Sequence, residues 1–237
     1  MTEAALSAGG LLKLVIFDCD GVLIDSEGLS CRILAAEARK LGLDIPDDRA
    51  VEAFAGKAVP LIRKELEEAS GQSLAPDWSQ RMQEAFVASF RHGVETMPGA
   101  SDMLDGVIAL SLPIRVGSNS SCAEMEAKFQ VTALETRLPS DRIHSAKDMN
   151  VPKPAPDVYL HAAAMENVRP EQCVVLEDSD PGARAAILAG MTCVLLRPFS
   201  KEVPDWLRAQ KERFVQIESL EAFVPILSRA LTAQKGK

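Results

Sequence analysis

The feature that most constrains this chain is a pair of acidic residues, Asp18 and Asp20, placed directly after the largely apolar run 11–17. Residues 14–17 are apolar at four successive positions, which predicts a strand buried on both faces, as in the parallel sheet of an α/β domain. Ligands of such sheets gather at the carboxyl ends of the strands. Because carboxylates at a buried strand end are costly to desolvate, they indicate a cation or a reaction there; a solvated turn is the plainer alternative.

Composition limits the functions that this sequence can have. With 237 residues, 47% of them hydrophobic, the chain can form one substantial core, or a core and a smaller inserted domain. The formal net charge of −8 argues against a nucleic-acid surface, which needs a basic face, but it does not exclude a small anionic substrate. Five cysteines without close pairing provide neither a disulfide framework nor a zinc motif, so we expect a cytoplasmic protein.

Targeting and membrane signals are not apparent in the sequence. Residues 1–10 lack the basic start and long apolar stretch of a signal peptide, and no run approaches the ~20 apolar residues of a membrane span. We therefore expect no membrane partner. Residues 1–10 and 233–237 are predicted as flexible tails.

The spacing of apolar residues divides the chain into two regions. Between residues 27 and 95 the spacing is helical and strand signals are absent, which predicts an inserted helical domain. From Met97 on, strand-like runs alternate with amphipathic helices. Residues 11–26 and 96–232 are therefore predicted to form an α/β core domain with a doubly wound parallel sheet.

Individual elements can be assigned within both regions. The predicted buried faces of the insert are Cys31, Leu34, Ala38 and Leu41; Ile62, Leu66 and Ala69; and Trp78, Met82, Phe86 and Phe90. The candidate strands of the core are 112–117, 142–145, 173–176 and 192–196. Its candidate helices begin near Ala100, Ser121, Pro156, Pro181 and Ser219.

Two further groups of residues suggest phosphate chemistry. Ser118 and Asn119 follow a candidate strand and precede a helix, where backbone N–H groups and the Ser118 hydroxyl can bind a phosphoryl oxygen; an ordinary N-cap has the same sequence. Lys153 lies between Pro152 and Pro154, which hold the backbone extended ahead of another helix. A lysine fixed in this way is suited to neutralising a bound anion, although a solvated surface charge is the alternative.

Acidic residues also follow the candidate strand 173–176. Glu177 and Asp178 lie nearest the strand end, and Asp180 is the best candidate for capping the helix that follows. If Glu177 and Asp178 meet the two acids of the first strand, the four carboxylates form a hard oxygen site that suits Mg²⁺ better than zinc.

Four motifs in this order resemble those of the haloacid dehalogenase-like hydrolase superfamily over nearly the whole chain. They are Asp18-Cys19-Asp20-Gly21-Val22, Ser118-Asn119, Lys153-Pro154 and Glu177-Asp178. The helical insert is similar to the cap of the β-phosphoglucomutase-like branch. Together with Asp25-Ser26-Glu27, the first motif looks closest to the sugar-phosphate phosphatases of that branch, 6-phosphogluconate phosphatases among them.

The resemblance implies a phosphatase mechanism on a small phosphate ester. Asp18 would attack phosphorus to form an aspartyl-phosphate, and Asp20 would protonate the leaving alcohol and then deprotonate the attacking water. Mg²⁺ would be held by the Asp18 carboxylate, the Asp20 main-chain carbonyl and Asp178, with Glu177 as a ligand or in the outer shell. The sequence defines neither the ester nor the oligomeric state; we expect a monomer.

The resemblance also assigns the groups that bind the substrate. Ser118, Asn119 and Lys153 would hold the transferring oxygens, and the cap would exclude water and recognise the rest of the substrate. Gly56 and Lys57 lie in a break between two helical runs of the insert, where a glycine permits close approach and the ammonium could meet a second anionic group on a phosphosugar. A routine turn with a solvated lysine is the alternative.

Departures from the family pattern separate the competing functions. The related mutases usually carry a histidine where Ser30 stands and a basic pair in the cap loop, but in 55–59 only Lys57 is basic. These differences favour hydrolysis over a β-phosphoglucomutase-like activity. Dehalogenases of the superfamily need neither the second acid nor the metal, so the presence of Asp20 and Asp178 argues against a dehalogenase. A catalytically silent binding protein on the same fold is the remaining alternative.

Overall fold

The computed structural model describes residues 6, 11–55, 57, 59–91 and 93–235. The chain divides into two compact units, one formed by the chain up to Ile24 and from Thr96 on, and the other by Asp25–Glu95. The domain limits given above stay predictions. Of the predicted tails, residues 1–5, 7–10, 236 and 237 lie outside the described residues.

The described chain contains eight strands and ten α-helices, besides short 3₁₀ helices. The strands are β1 Leu14–Phe17, β2 Ile24–Asp25, β3 Glu95–Thr96, β4 Ile114–Ser118, β5 Ile143–Ser145, β6 Cys173–Glu177, β7 Thr192–Leu196 and β8 Phe214–Ile217. The helices are α1 Glu27–Lys40, α2 Ala50–Phe54, α3 Val59–Ser70, α4 Trp78–Phe90, α5 Ala100–Ala109, α6 Cys122–Val131, α7 Asp157–Met165, α8 Asp180–Leu188, α9 Asp205–Arg208 and α10 Phe223–Lys235.

Six of the strands form one parallel sheet in the order β5-β4-β1-β6-β7-β8. The first strand lies near the middle, and all four of its side chains are buried. Leu14 and Ile16 pack in a cluster with Tyr159 of α7 and Ala186 of α8. Phe17 makes an edge-to-face contact with Phe223 of α10, with ring centroids 6.1 Å apart. Because successive strand side chains point to opposite faces, helices cover both sides of the sheet, which confirms the predicted doubly wound α/β fold.

The second unit is helical, as the apolar spacing predicts. Its buried positions include Cys31, Leu34 and Ala38 of α1, Ile62 and Leu66 of α3, and Trp78, Met82, Phe86 and Phe90 of α4. Ala69 was wrongly placed on a buried face. It lies in the last turn of α3, after the buried Leu66, and it is exposed.

The C-terminal part of the sheet is where the element predictions fall short. The sequence pattern does not indicate β8, because only its end residues Phe214 and Ile217 are buried and no clear alternation results. The last helix begins at Phe223, after a short 3₁₀ turn, and continues to Lys235. Its final turn enters the predicted tail because Ala, Gln and Lys are good helix formers, and the Gln234 side chain accepts a hydrogen bond from the Leu12 N–H at 3.1 Å.

Within the described part of the chain, no helix has the length and apolar character needed to cross a membrane.

Candidate active site

Three neighbouring strands bring the predicted motifs to one edge of the sheet. Asp18 directly follows β1, Ser118 ends β4 and Glu177 ends β6. The strand pairings place Phe17 beside both Val116 and Leu176, and the Asp18 N–H donates to the Leu176 carbonyl at 2.9 Å. The first, second and fourth motifs therefore meet at the carboxyl edge, where ligands of parallel sheets bind.

The side chain of Lys153 lies between two of the predicted site carboxylates. Its Nζ is 2.5 Å from Asp18 Oδ1 and 2.8 Å from Glu177 Oε1, and only 3% of the side chain is exposed. Its backbone N–H donates to Asn119 Oδ1 at 2.8 Å. The surface-charge alternative for Lys153 is therefore wrong, and Asn119 serves in part to fix the lysine loop.

Glu177 is fully buried, and donors surround both of its carboxylate oxygens. Besides Lys153, the Tyr159 hydroxyl donates to Oε1, and the Asp178 N–H, Ser179 N–H and Ser179 hydroxyl donate to Oε2, each at 2.9 Å. Burial alone would raise the pKa of Glu177, but Lys153 and these hydrogen bonds outweigh it and lower the pKa. Glu177 is thus an anion that holds Lys153 in place, with little capacity left for other partners.

Three carboxylates form the acidic cluster that the sequence predicts. Asp18, Glu177 and Asp178 each place one oxygen within 4.8 Å of the others. Burial raises the pKa of Asp18 to about 7 in spite of Lys153, and burial together with the Asp18 charge raises the pKa of Asp178 to about 8. Burial still disfavours the ionised forms of Asp18 and Asp178, so a divalent cation such as Mg²⁺ would stabilise their charge, and these hard oxygen donors are its natural ligands.

Two glycines make room for these carboxylates. Gly21 has a φ of +81°, and a Cβ built there would lie 2.1 Å from Asp178 Oδ2. A Cβ on Gly182, near the start of α8, would lie 1.6 Å from Glu177 Oε1. Side chains at these positions would displace the acidic groups, so the glycines are part of the site architecture.

The Asp20 carboxylate lies apart from the acidic cluster. Its Oδ1 is 2.6 Å from Lys128 Nζ, and its Oδ2 accepts a hydrogen bond from the Ser120 hydroxyl at 2.7 Å. Lys128 is buried on α6; burial opposes its charge, but Asp20 outweighs this effect and the pKa of Lys128 is raised. Three of the four carboxylates expected to meet therefore do so, and the fourth, that of Asp20, pairs with Lys128 instead.

The sequence pattern does not indicate two neighbours of the predicted site residues, Lys128 and Tyr159. Lys128 follows Met125 by three residues on the buried face of α6, so a charge at a core position was the available signal. Tyr159 is the single tyrosine of the chain, which in itself indicates no role. The prediction that Asp180 caps α8 was wrong: Ser179 is the N-cap, and its hydroxyl accepts from the Gly182 N–H, whereas Asp180 pairs with Arg197 at 2.8 Å.

The predicted substrate contacts of the insert stay predictions. Lys57 Nζ is 2.8 Å from Glu65 Oε2, in an ion pair whose side chains are 37% and 41% exposed. Gly56 lies outside the described residues. The assignment of Ser118 and Asn119 to a bound phosphate is likewise untested.

Comparison with known proteins gives consistent similarities. The haloacid dehalogenase-like hydrolase family matches residues 15–196. The sequence is 30% identical to the 6-phosphogluconate phosphatase of Escherichia coli (strain K12) over 181 residues, 76% of this chain and 80% of the relative. It is 32% identical to the fructose-1-phosphate phosphatase YqaB of the same organism over 186 residues, 77% of this chain and 95% of that protein. A hydrolase of this type from Deinococcus radiodurans R1, crystallised with phosphate and sodium, superimposes with a TM-score of 0.72 at 28% identity and covers 92% of this chain and 96% of its own.

We expect Gly182→Ala to destabilise the protein and reduce its activity, because the new methyl group would displace the Glu177 carboxylate. Overpacking of this kind costs about 1–3 kcal/mol of unfolding free energy. Gly28→Ala is a matched control in helix α1, where the nearest atom to an added Cβ is Arg32 Nη1 at 3.5 Å; it should raise stability by up to about 1 kcal/mol. Thermal melts of the two variants test this expectation, and equal melting temperatures would contradict it.

The raised pKa values of Asp18 and Asp178 predict that stabilisation by Mg²⁺ depends on pH. Their usual value is 3.8, so between about pH 4 and pH 8 these two carboxyl groups bind more protons in the folded protein without metal than in the unfolded chain, and their contribution to stability falls as pH rises. Because the cation binds the ionised carboxylates, Mg²⁺ should raise the melting temperature more at about pH 8.5 than at about pH 6. Asp178→Asn should diminish the increase at both pH values. An equal increase at both pH values in the wild type would refute the assignment of this site.

Proposed function

Because this chain belongs to the haloacid dehalogenase-like hydrolases and is a phosphatase, a phosphoric monoester hydrolase, we propose that it hydrolyses a small phosphorylated sugar or sugar acid through an aspartyl-phosphate at Asp18. The observation that supports this proposal best is the placement of the Asp18 carboxylate. It lies at the end of a central strand, buried, in contact with the Lys153 ammonium and within the acidic cluster. A carboxylate held in this way is oriented for attack and shielded from bulk water.

The proposed reaction has two steps with opposite proton transfers. In the first, an oxygen of the Asp18 carboxylate bonds to phosphorus while the bond from phosphorus to the leaving alcohol oxygen breaks, and Asp20 gives its proton to that oxygen. In the second, Asp20 takes a proton from water, the water oxygen bonds to phosphorus, and Asp18 leaves as a free carboxylate. Asp20 must therefore enter the first step protonated and Asp18 ionised, and each residue ends in the protonation state in which it began.

Charge neutralisation is the main requirement of this chemistry, because an anionic nucleophile approaches an anionic ester. Lys153 supplies one buried positive charge beside Asp18. Mg²⁺, for which Asp18 and Asp178 are the fitting ligands, would supply further positive charge at the phosphoryl oxygens. Glu177 and Tyr159 keep the lysine directed at this point. The phosphate bound to the Deinococcus hydrolase supports a phosphoryl site in this fold.

The substrate class is proposed from the relatives and from the insert. Relatives at 30% and 32% identity act on 6-phosphogluconate and fructose 1-phosphate, both phosphorylated sugars or sugar acids. We propose that Lys57 contributes to this choice by binding a second polar or anionic group of the substrate. Its ion pair with Glu65 is partly exposed, and exposed pairs are weak, so the lysine can change partners at little cost.

Asp18→Asn should abolish turnover, because an amide cannot act as the nucleophile, and Asp20→Asn should reduce it by at least the ~100-fold typical of a lost proton-transfer group. Asp105→Asn makes the same change in an exposed ion pair with Arg137 and should leave the rate unchanged. Phosphate release from a panel of phosphorylated metabolites with Mg²⁺ is the measurement, followed by phosphorus NMR to separate hydrolysis from isomerisation. Full activity of Asp18→Asn, or of the wild type in excess EDTA, would contradict the proposal.

Lys57→Ala should lower kcat/KM for the best sugar phosphate while sparing p-nitrophenyl phosphate, which lacks a second group to bind. Lys64→Ala removes another exposed lysine of the insert, one paired with Glu68, and serves as the control. Equal losses on both substrates would assign Lys57 to the general machinery. No loss on either would leave it as a surface charge.

A further inference from the structure

We infer that Lys128 and Ser120 are positioning residues that hold the Asp20 carboxylate for proton transfer. Neither residue belongs to the four motifs, and the inference rests on the proposed role of Asp20 as general acid and base. The Asp20 carboxylate and its two partners lie apart from the acidic cluster, which suggests a function distinct from cation binding.

The three side chains make contacts of hydrogen-bond length with one another. Lys128 Nζ contacts Asp20 Oδ1 at 2.6 Å, the Ser120 hydroxyl donates to Asp20 Oδ2 at 2.7 Å, and the same hydroxyl lies 3.3 Å from Lys128 Nζ. Both oxygens of the carboxylate are therefore held, which fixes the plane of the group as well as its distance. A carboxylate with a single partner could still rotate about its Cβ–Cγ bond.

The burial of Lys128 is difficult to explain by stability alone. Its side chain is 2% exposed, whereas that of Asp20 is 33% exposed, so a desolvated ammonium faces a carboxylate that remains accessible. Buried ion pairs are often no more stable than apolar replacements of similar volume, because desolvation offsets the attraction. The desolvation of Lys128 is therefore better explained by a role in positioning the accessible Asp20 carboxylate.

The same group is connected to the proposed phosphate site. The Ser120 N–H donates to the Ser118 hydroxyl oxygen at 3.1 Å, so the loop that positions Asp20 also carries a predicted phosphate ligand. This loop would thereby fix the position of Asp20 relative to the phosphoryl group. Proton transfer depends steeply on such placement, since donor and acceptor must come within hydrogen-bond distance.

Leaving-group dependence tests this inference. An alkyl leaving group needs a proton from Asp20, whereas p-nitrophenolate leaves without one. The alkyl substrate is whichever of 6-phosphogluconate and fructose 1-phosphate the wild type hydrolyses faster. Lys128→Met should lower kcat/KM for this ester by about 10-fold or more, part of the ~100-fold available from a positioned acid, and leave kcat/KM for p-nitrophenyl phosphate nearly unchanged. Ser120→Ala, a smaller change that keeps the lysine, should show the same pattern more weakly.

Three controls separate positioning from folding. Arg115→Met removes another buried cation of this unit, one that pairs with Glu166, and should not distinguish the two substrates. Lys128→Arg should restore part of the loss. The double variant Lys128→Met with Asp20→Asn should be no worse than Asp20→Asn, because the residues act as one unit.

The outcomes separate this inference from the proposed function. A selective loss in Asp20→Asn without one in Lys128→Met and Ser120→Ala would overturn the inference alone. Equal losses on both substrates, in step with lowered melting temperatures, would also overturn it and assign Lys128 to stability. If Asp20→Asn itself shows no preference between the substrates, the proposed role of Asp20 is wrong and the inference falls with it.

Discussion

The buried ammonium of Lys153 is the interaction on which the rest of the site depends. It contacts the carboxylates of Asp18 and Glu177, neither of which has another cation among its hydrogen-bond partners in the described structure. Removing one member of a buried charge group typically costs about 3–5 kcal/mol, because the remaining charge is left uncompensated. The surrounding bonds follow from this constraint: Asn119 holds the lysine backbone, and Tyr159 lies under the ammonium and donates to the same glutamate.

The two acids of the first motif are two residues apart but have different surroundings. Asp18 lies in the buried cluster with Lys153, and Asp20 lies beside Lys128 and Ser120 in a more accessible position. This division fits a reaction in which one carboxylate bonds to phosphorus and the other carries a proton. A parallel sheet favours such different surroundings, because neighbouring strands end side by side and each brings a different polar group to the edge.

Much of the fold and part of the site follow from the sequence. Four successive apolar residues before Asp18 are sufficient to predict a central buried strand, and acids after two such strands predict a shared cation site. The lysine partner of Asp20 could not be predicted as such, since it depends on how α6 packs against the sheet rather than on local sequence. The requirement for glycine at position 182 could not be predicted either, because it depends on the close approach of the Glu177 carboxylate. The edge strand β8 was not predicted, because its partial burial leaves only a weak pattern of apolar residues.

The central claim is that Asp18 becomes covalently phosphorylated during turnover. The most direct measurement is to stop the reaction with acid in the first turnovers, reduce the protein with borohydride, and map the modified peptide by mass spectrometry. Borohydride converts an acyl phosphate to an alcohol, so this account predicts homoserine at position 18 in the protein quenched during turnover and an unmodified aspartate in the protein without substrate. Turnover with no modification at position 18, or with modification at another carboxylate, would contradict it.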